Sequence, residues 1–228
     1  MILIKNRSLR NTVRVAVPFI IIPSVVLAGA LIFDQKKHII ISLGVAFFSL
    51  LLFAAGYEKK NTGTRRMVIT AVMTALCLAG RLIPFLKPVS ALTIITGMWL
   101  GGEAGFLTGA LSALISNFYF GQGPWTSFQM LALGLQGLIA GILSKQLQKN
   151  MILTVVYGFA AGIAYSFTMD IWTVLWYSNS FSLKLYASAL LTAIPYTLSY
   201  SIANFIYLWF LSPAFSEKLS RIKKKYGI

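Results

Sequence analysis

The chain alternates between long apolar runs and short polar connections. Seven apolar runs follow one another, and each is long enough to contain a helix that crosses a bilayer, which needs about 20 residues. The runs are Val13–Phe33, Ile39–Gly56, Met67–Phe85, Ala91–Phe118, Ser127–Ser144, Met151–Tyr177 and Leu185–Leu211. This pattern predicts an all-α integral membrane protein.

The run Ala91–Phe118 is too long for one ordinary span. As a single helix, its 28 residues would extend about 42 Å, whereas the hydrocarbon core is about 30 Å thick. The sequence Gly101-Gly102-Glu103 lies near its middle. The run therefore forms either one long, tilted helix or two helices that fold back on each other at these residues.

The basic residues decide between these two possibilities. With two helices in this run and the N-terminus inside, 15 of the 20 Lys and Arg residues fall on the cytoplasmic side and five fall outside. With one helix, nine fall inside and 11 fall outside. Because cytoplasmic connections carry the excess of Lys and Arg, we expect eight transmembrane helices with both termini in the cytoplasm.

Composition supports this class of protein. Of the 228 residues, 57% are hydrophobic and 11% are charged, and the mean hydropathy is +0.77, whereas soluble domains carry about 25% charged residues. A net charge of +15 would indicate nucleic acid in a soluble protein. Here the basic residues lie in the connections, so orientation in the bilayer explains them better.

The polar segment Tyr57–Arg66 is the clearest internal boundary. It predicts two N-terminal helices in residues 1–60, with a packing or assembly role, and a six-helix core in residues 61–228. The first apolar run is longer than the core of a signal peptide, so we expect it to be retained.

Catalytic chemistry is not indicated. The acidic residues are few and far apart in sequence: Asp34, Glu58, Glu103, Asp170 and Glu217. The sequence contains no metal-ligand spacing, no nucleophile–base pair at short range and no Gly-x-x-x-x-Gly-Lys-[Ser/Thr] loop. We expect no enzyme and no cofactor, and if transport is uphill another subunit provides the energy.

One connection differs from an ordinary loop. The segment Asn117–Gln129 contains helix-breaking Gly and Pro residues together with Tyr119, Trp125 and the amides Asn117, Gln122 and Gln129. If the run Ala91–Phe118 forms two helices, this segment lies on the outer side of the membrane. Either it covers a substrate pocket, or its aromatic side chains form a belt at the lipid–water interface.

Asp170 is the only acid well inside a predicted span, where a charge costs about 2.5–3.5 kcal/mol. It therefore faces a cavity or a partner such as Arg81, or forms a purely structural ion pair. Aromatic residues surround it in sequence, including Trp176 and Tyr177. The last span adds one polar and aromatic helical face, which consists of Tyr196, Tyr200 and Asn204.

The third run carries a stripe of small residues. Ala71, Ala75 and Ala79 recur at every fourth position, so another helix can approach this face closely. Similar glycine spacings occur at Gly97/Gly101 and at Gly158/Gly162. Such patterns are more often internal packing than a docking surface, and the sequence leaves both readings open.

Several of these motifs, in this order, resemble the S components of energy-coupling factor (ECF) transporters. They are Ala71-Val72-Met73-Thr74-Ala75, the Gly-rich hairpin at Ile95–Phe106, the loop from Asn117 to Thr126, and the segment Gln129–Gly141. The last two segments are most similar to the S components assigned to cobalamin. The resemblance covers about 160 of the 228 residues, and the two N-terminal helices depart from the six-helix pattern.

The resemblance implies a vitamin-binding subunit of the bacterial plasma membrane. It implies capture of cobalamin or a related corrinoid from outside, and delivery inward with a transmembrane coupling protein and two cytoplasmic ATPases. Ala71, Ala75 and Ala79 are then expected to contact the helices of the coupling protein. The alternatives are an S component for another vitamin such as riboflavin, or a solitary carrier or sensor. The residues expected to bind the substrate are Arg81, Lys87, Asn117, Tyr119, Gln122, Trp125, Gln129, Asp170, Trp176, Tyr177, Tyr196, Tyr200 and Asn204.

Overall fold

The computed structural model describes residues 7–32, 38–55, 63–83, 87–178 and 180–226, and most of them are helical. The helices are α1 Arg7–Ala16, α2 Ile22–Ile32, α3 His38–Ala55, α4 Gly63–Arg81, α5 Val89–Leu100, α6 Gly102–Phe120, α7 Trp125–Ile142, the short α8 Ser144–Leu147, α9 Met151–Ser178 and α10 Leu183–Tyr226. The polar turn expected at residues 34–37 and linker residues 57–62 lie outside the described residues.

Helices α1 and α2 are joined by a π-helical segment, Val17–Ile21, rather than by a loop. Pro18 lies in its first turn and has no N–H group, so it cannot donate the hydrogen bond of a regular α-helix there. The backbone accommodates this with the wider π spacing, in which the Ile22 N–H donates to the Val17 carbonyl. The chain is therefore continuously helical from Arg7 to Ile32.

The predicted break within Ala91–Phe118 is present. Helix α5 ends at Leu100 and α6 begins at Gly102. Between them, Gly101 has a φ of +96°, a conformation that residues with a side chain rarely adopt. The Gly101 N–H still donates to the Gly97 carbonyl over 3.1 Å, and its own carbonyl accepts from Gly105 over 3.0 Å. The chain can thus reverse direction with these backbone groups still hydrogen-bonded.

Glycine lets α5, α6 and α7 approach one another closely. A Cβ atom on Gly97 would lie 2.0 Å from the Gly137 carbonyl oxygen, and one on Gly105 would lie 2.6 Å from the same oxygen. Gly158 and Gly162 provide the same kind of contact between α9 and α10, against Leu208 and Ser201. These glycine spacings are internal packing, the more common of the two readings.

Four helical stretches of the described chain are long and apolar enough to cross a membrane: Ser8–Leu31, Trp125–Ile142, Met151–Ser178 and Leu183–Ile222. Two shorter apolar helices are Ile39–Ala55 and Val89–Leu100. These helices make the chain a multi-pass membrane protein. The count of eight spans and the cytoplasmic location of both termini stay predictions.

The two N-terminal helical segments pack against the rest of the bundle. Helix α3 lies against α6 and α7, and α2 lies against α7 and α9. At the turn between α5 and α6, the buried Glu103 carboxylate binds Arg14 of α1 and, over 3.2 Å, Arg66 of α4. One carboxylate therefore joins three parts of the chain, and its burial is compensated by two guanidinium groups.

The last helix is longer than the expected run Leu185–Leu211. It continues to Tyr226 through Pro195 and Pro213, a total of 44 residues. At about 1.5 Å per residue it exceeds the roughly 30 Å hydrocarbon core by a factor of about two. Its far part packs against α5, where the Trp99 indole N–H donates to the Ser216 hydroxyl over 3.1 Å.

Candidate functional site

Polar side chains from three helices meet at the predicted outer end of the bundle. Arg81 ends α4, Ser116 and Asn117 lie in the last turn of α6, and Gln129 lies in the second turn of α7. The Asn117 amide nitrogen donates to Thr126 over 2.9 Å and to the Gln129 side-chain oxygen over 2.8 Å. We refer to Arg81, Ser116, Asn117, Thr126 and Gln129 as the Gln129 cluster.

The loop between α6 and α7 is held by this cluster. Gly121 has a φ of +108° and turns the chain out of α6. The Gln122 amide then reaches back to donate to the Leu114 carbonyl over 2.8 Å, and its side-chain oxygen accepts from Thr126 over 3.0 Å. Gln122 thus fixes the loop, while Gln129 faces the centre of the cluster.

Arg81 is the charged member of the cluster. Its guanidinium donates to the Ser116 hydroxyl and, over 3.5 Å, to the side-chain oxygen of Gln129. It also lies near the side chains of Tyr165 on α9 and Tyr200 on α10. Arg81 therefore connects α4 to α6 and α7 by hydrogen bonds.

Lys87 lies beside Arg81, just before α5. Its ammonium nitrogen is 5.5 Å from the centre of the Phe120 ring, and the Arg81 guanidinium is 5.6 Å from the same ring. Partial burial and the neighbouring Arg81 charge hold the pKa of Lys87 below its ordinary value of 10.5. Two cations thus share one aromatic ring at the entrance to the cluster.

Aromatic side chains of α7, α9 and α10 form two groups of rings. The Tyr165 and Tyr200 rings are 5.1 Å apart, and the Tyr165 side chain lies near Gln129. Trp125 packs edge-on against Trp172 at 5.7 Å, and Trp172 lies 5.8 Å from Trp176. Such rings offer flat apolar faces for a planar ligand.

Asp170 is placed differently from the cluster. It continues the line of Gly158, Gly162 and Ser166 on α9, the line that packs against α10. The residue is buried, and its Oδ2 atom has no hydrogen-bond partner among the described residues. The proposed pairing with Arg81 is wrong, because Arg81 bonds Ser116 and Gln129 and forms no ion pair with a described acid.

Four other expected site residues lie outside the cluster. Tyr119, Tyr177 and Tyr196 are exposed, with 78%, 79% and 69% of their surface accessible, as expected for a belt at the membrane interface. Asn204 is buried and its amide donates to the Gly158 carbonyl over 3.1 Å, which joins α9 and α10. Whether these residues touch a substrate stays a prediction.

The small-residue stripe of α4 is open to its surroundings. Ala71, Ala75 and Ala79 are all exposed, whereas Met73 and Cys77 of the same helix are buried in the core. The stripe is therefore not used for packing among the described residues. It leaves a smooth face on which a partner helix can lie closely.

The expected substrate-binding residues did not include several residues found at or near the site: Ser116, Phe120, Thr126, Tyr165 and Trp172. For two of them a signal was available. Tyr165, Trp172 and Trp176 are separated by seven and four residues, the spacing of one helical face. Ser116 and Thr126 gave no such signal, because their partners come from other helices.

The arrangement suits binding rather than catalysis. The cluster offers amide, hydroxyl and guanidinium groups beside aromatic faces, and none of the described residues forms a group of His, Cys, Asp and Glu that would hold a metal ion. A separate groove of about 240 Å³ lies between α7 and α9. It is lined by the exposed Ala160 and Ala164, so it opens at the side of the bundle.

Comparison with known families gives one match. A family model described as "ECF-type riboflavin transporter, S component" matches residues 61–214, about two thirds of the chain. No curated protein and no solved structure matches the chain. The matched part leaves out the N-terminal helices and contains the whole Gln129 cluster.

Proposed function

Since the chain belongs to the family of ECF-type riboflavin transporter S components, we propose that the vitamin it binds is a flavin. As an S component it is a vitamin-transport subunit of the cell membrane and not an enzyme. The flavin would be bound at the Gln129 cluster and released on the opposite side of the membrane.

The contacts of Gln129 carry this proposal. Its side chain meets Arg81, Asn117 and Tyr165, three polar groups from three other helices, in a part of the bundle lined by Tyr200 and other aromatic rings. The flavin ring system is flat and carries carbonyl and N–H groups along one edge. Aromatic faces can stack on the ring, while amide and guanidinium groups can hydrogen-bond that edge.

The expectation of cobalamin gains no support from the comparisons, since the matching family is described by riboflavin. The size of the ligand also matters. The amides Asn117, Gln122 and Gln129 were expected to bind the many amides of a corrinoid. The Asn117 and Gln122 donors and the Gln129 oxygen are already bonded within the protein, which leaves few free amide groups for so large a ligand.

A direct binding measurement tests the flavin. The purified chain in lipid nanodiscs should quench the fluorescence of riboflavin, because stacking on Tyr or Trp rings quenches flavin emission. Tyr165→Leu should weaken binding about tenfold or more, since it removes both a ring and a hydroxyl beside Gln129. Phe210→Leu, which removes an exposed ring of α10, is the control and should bind normally. Binding of cobalamin without binding of riboflavin would overturn the proposal.

Transport requires partners that lie outside this chain. S components of this class work with a module composed of a coupling protein and ATPases, and we infer that the exposed stripe Ala71, Ala75 and Ala79 is where that module docks. Uptake of labelled riboflavin should therefore depend on co-expression of the ATPase subunits. Full uptake by this chain alone would instead identify a solitary carrier.

A further inference from the structure

The C-terminal end of α10 extends past the helix that it packs against. Gly158 of α9 packs on Leu208 of α10, and Gly162 packs on Ser201, so the two helices are antiparallel. Helix α9 begins seven residues before Gly158. Helix α10 therefore passes the start of α9 about seven residues after Leu208, near residue 215, and then continues to Tyr226.

Trp99 indicates where this end of α10 lies relative to the bilayer. It is half-buried near the end of α5, and its indole N–H donates to the Ser216 hydroxyl over 3.1 Å. Tryptophan side chains collect at the membrane–water interface, where the ring meets apolar groups and the N–H meets polar ones. Ser216 therefore lies near this interface, and the residues that follow it begin at the level of the lipid headgroups.

Residues 212–226 have one buried face and one basic face. Leu219 is buried and Ile222 is half-buried. Four basic residues of the segment are exposed: Lys218, Arg221, Lys224 and Lys225. At 3.6 residues per turn, these four lie within an arc of about 120° on the side of the helix away from Leu219. We refer to them as the C-terminal basic stripe.

The positive charge of this segment is only slightly offset within it. Glu217 is the one acid among residues 212–226, against five Lys and Arg residues. It pairs with Arg221 over 2.6 Å, and both side chains are exposed, so the pair contributes little to stability. A cluster of four or more basic residues directly after a membrane span is typical of segments that bind anionic phospholipids. The depth indicated by Trp99 favours the same partner.

We propose that the C-terminal basic stripe binds the phosphate groups of anionic phospholipids and so holds the end of α10 at the membrane surface. Lys and Arg donate charge-assisted hydrogen bonds to phosphate oxygens, and their long stems let the charged groups reach the headgroups. Leu219 stays packed on the bundle. The stripe and the Gln129 cluster lie near opposite ends of α5, so this proposal does not depend on the substrate.

Hydrogen–deuterium exchange of the full chain in nanodiscs tests the lipid contact. One sample contains phosphatidylcholine alone, and the other contains an equal mixture of phosphatidylcholine and the anionic phosphatidylglycerol. Amides 216–226 should exchange at least about fivefold more slowly in the mixture, since the attraction of one Lys or Arg to an anionic surface corresponds to about that factor. High salt should reduce the difference in the wild-type chain, because it screens exposed charges.

Two variants separate charge from other properties of the segment. Replacement of all four stripe residues by Gln should remove the difference between the nanodiscs. The matched control keeps every charge by Lys218→Arg, Arg221→Lys, Lys224→Arg and Lys225→Arg, and should retain the difference. Exchange of the buried amides of α7 should stay within about twofold of wild type in both variants, which shows that both are folded.

Equal exchange of the wild-type segment in the two nanodiscs would overturn the proposal, and so would a difference that survives in the Gln variant or in high salt. Equal protection by inorganic phosphate in phosphatidylcholine nanodiscs would show a general anion site instead of a lipid site. Protection that appears only after the coupling protein and ATPases are added would identify an acidic protein as the partner. Either result would also reject the lipid, and none of them bears on flavin binding.

Discussion

At the scale of single residues, one side-chain oxygen organises the site. The Gln129 oxygen accepts from Asn117 over 2.8 Å and from Arg81 over 3.5 Å, so it links α4, α6 and α7. The sequence predicted all three as ligand contacts from their chemistry and position. It did not predict that they bind one another, because side-chain partners are known only once the helices are packed.

Removal of that oxygen should affect both stability and binding. Gln129→Leu leaves the donors of Asn117 and Arg81 unpaired in a buried place, which should cost about 1–3 kcal/mol of unfolding free energy and weaken flavin binding about tenfold or more. Gln129→Glu keeps an acceptor for both donors and should retain most of the stability. Thermal unfolding and fluorescence titration measure the two effects, and equal behaviour of both variants would contradict this role.

Substitution of Lys87 should have the opposite effect on stability from substitution of Gln129. The pKa of Lys87 is lowered in the folded protein, so folding disfavours the charged form of this side chain. The unfolded chain therefore binds more protons, and the free energy of unfolding rises as pH rises through the range in which Lys87 loses its proton. Lys87→Gln should therefore unfold at the same temperature as the wild type, or a higher one, at neutral pH. A marked loss of stability in this variant would show a structural role instead.

At the scale of the elements, the fold was most predictable where the distribution of charged residues and the position of a glycine indicated the same turn. The distribution of Lys and Arg indicated that Ala91–Phe118 reverses direction, and Gly101 marks the turn in the structure. The extent of α10 was not predictable from hydropathy. Its last part, Ser212–Tyr226, is polar and basic, and packing of Ser216 on Trp99 explains why this part is found beside α5.

The close contact between α5 and α7 should be sensitive to a single methyl group. Gly97→Ala places a Cβ atom 2.0 Å from the Gly137 carbonyl oxygen, a backbone atom that cannot move aside, and should cost about 1–3 kcal/mol or more. Gly44→Ala is the matched control, because its nearest neighbour, Val25, is 4.0 Å away. Thermal unfolding in detergent should separate the two variants, and equal stability would contradict the contact.

At the scale of the whole molecule, α4 has two different faces. One face carries Met73 and Cys77 into the core, and the other presents Ala71 and Ala75 to the outside. Substitution of both alanines by Trp should abolish co-purification with the coupling module but leave flavin binding within about twofold of wild type. Ala164→Trp, an exposed alanine on α9, is the control. Retained complex formation in the double variant would reject the docking surface.

The N-terminal helices should be dispensable for folding of the core. They cover parts of α6 and α7, but lipid is as apolar as the side chains they bury, so exposure of these faces to the bilayer costs little. A chain that starts at residue 61 should therefore still bind riboflavin with an affinity close to that of the full chain. Loss of folding in nanodiscs, seen as aggregation on size-exclusion chromatography, would contradict this expectation.

The contacts of Glu103 explain why the core can fold without the N-terminal helices. This buried carboxylate has two cationic partners, Arg14 from the N-terminal helices and Arg66 from α4. If Arg14 is removed, Arg66 still neutralises the Glu103 carboxylate, so this buried charge is not left unpaired. The core therefore carries its own counter-ion, and Glu103 keeps an ionic partner when the N-terminal helices are absent.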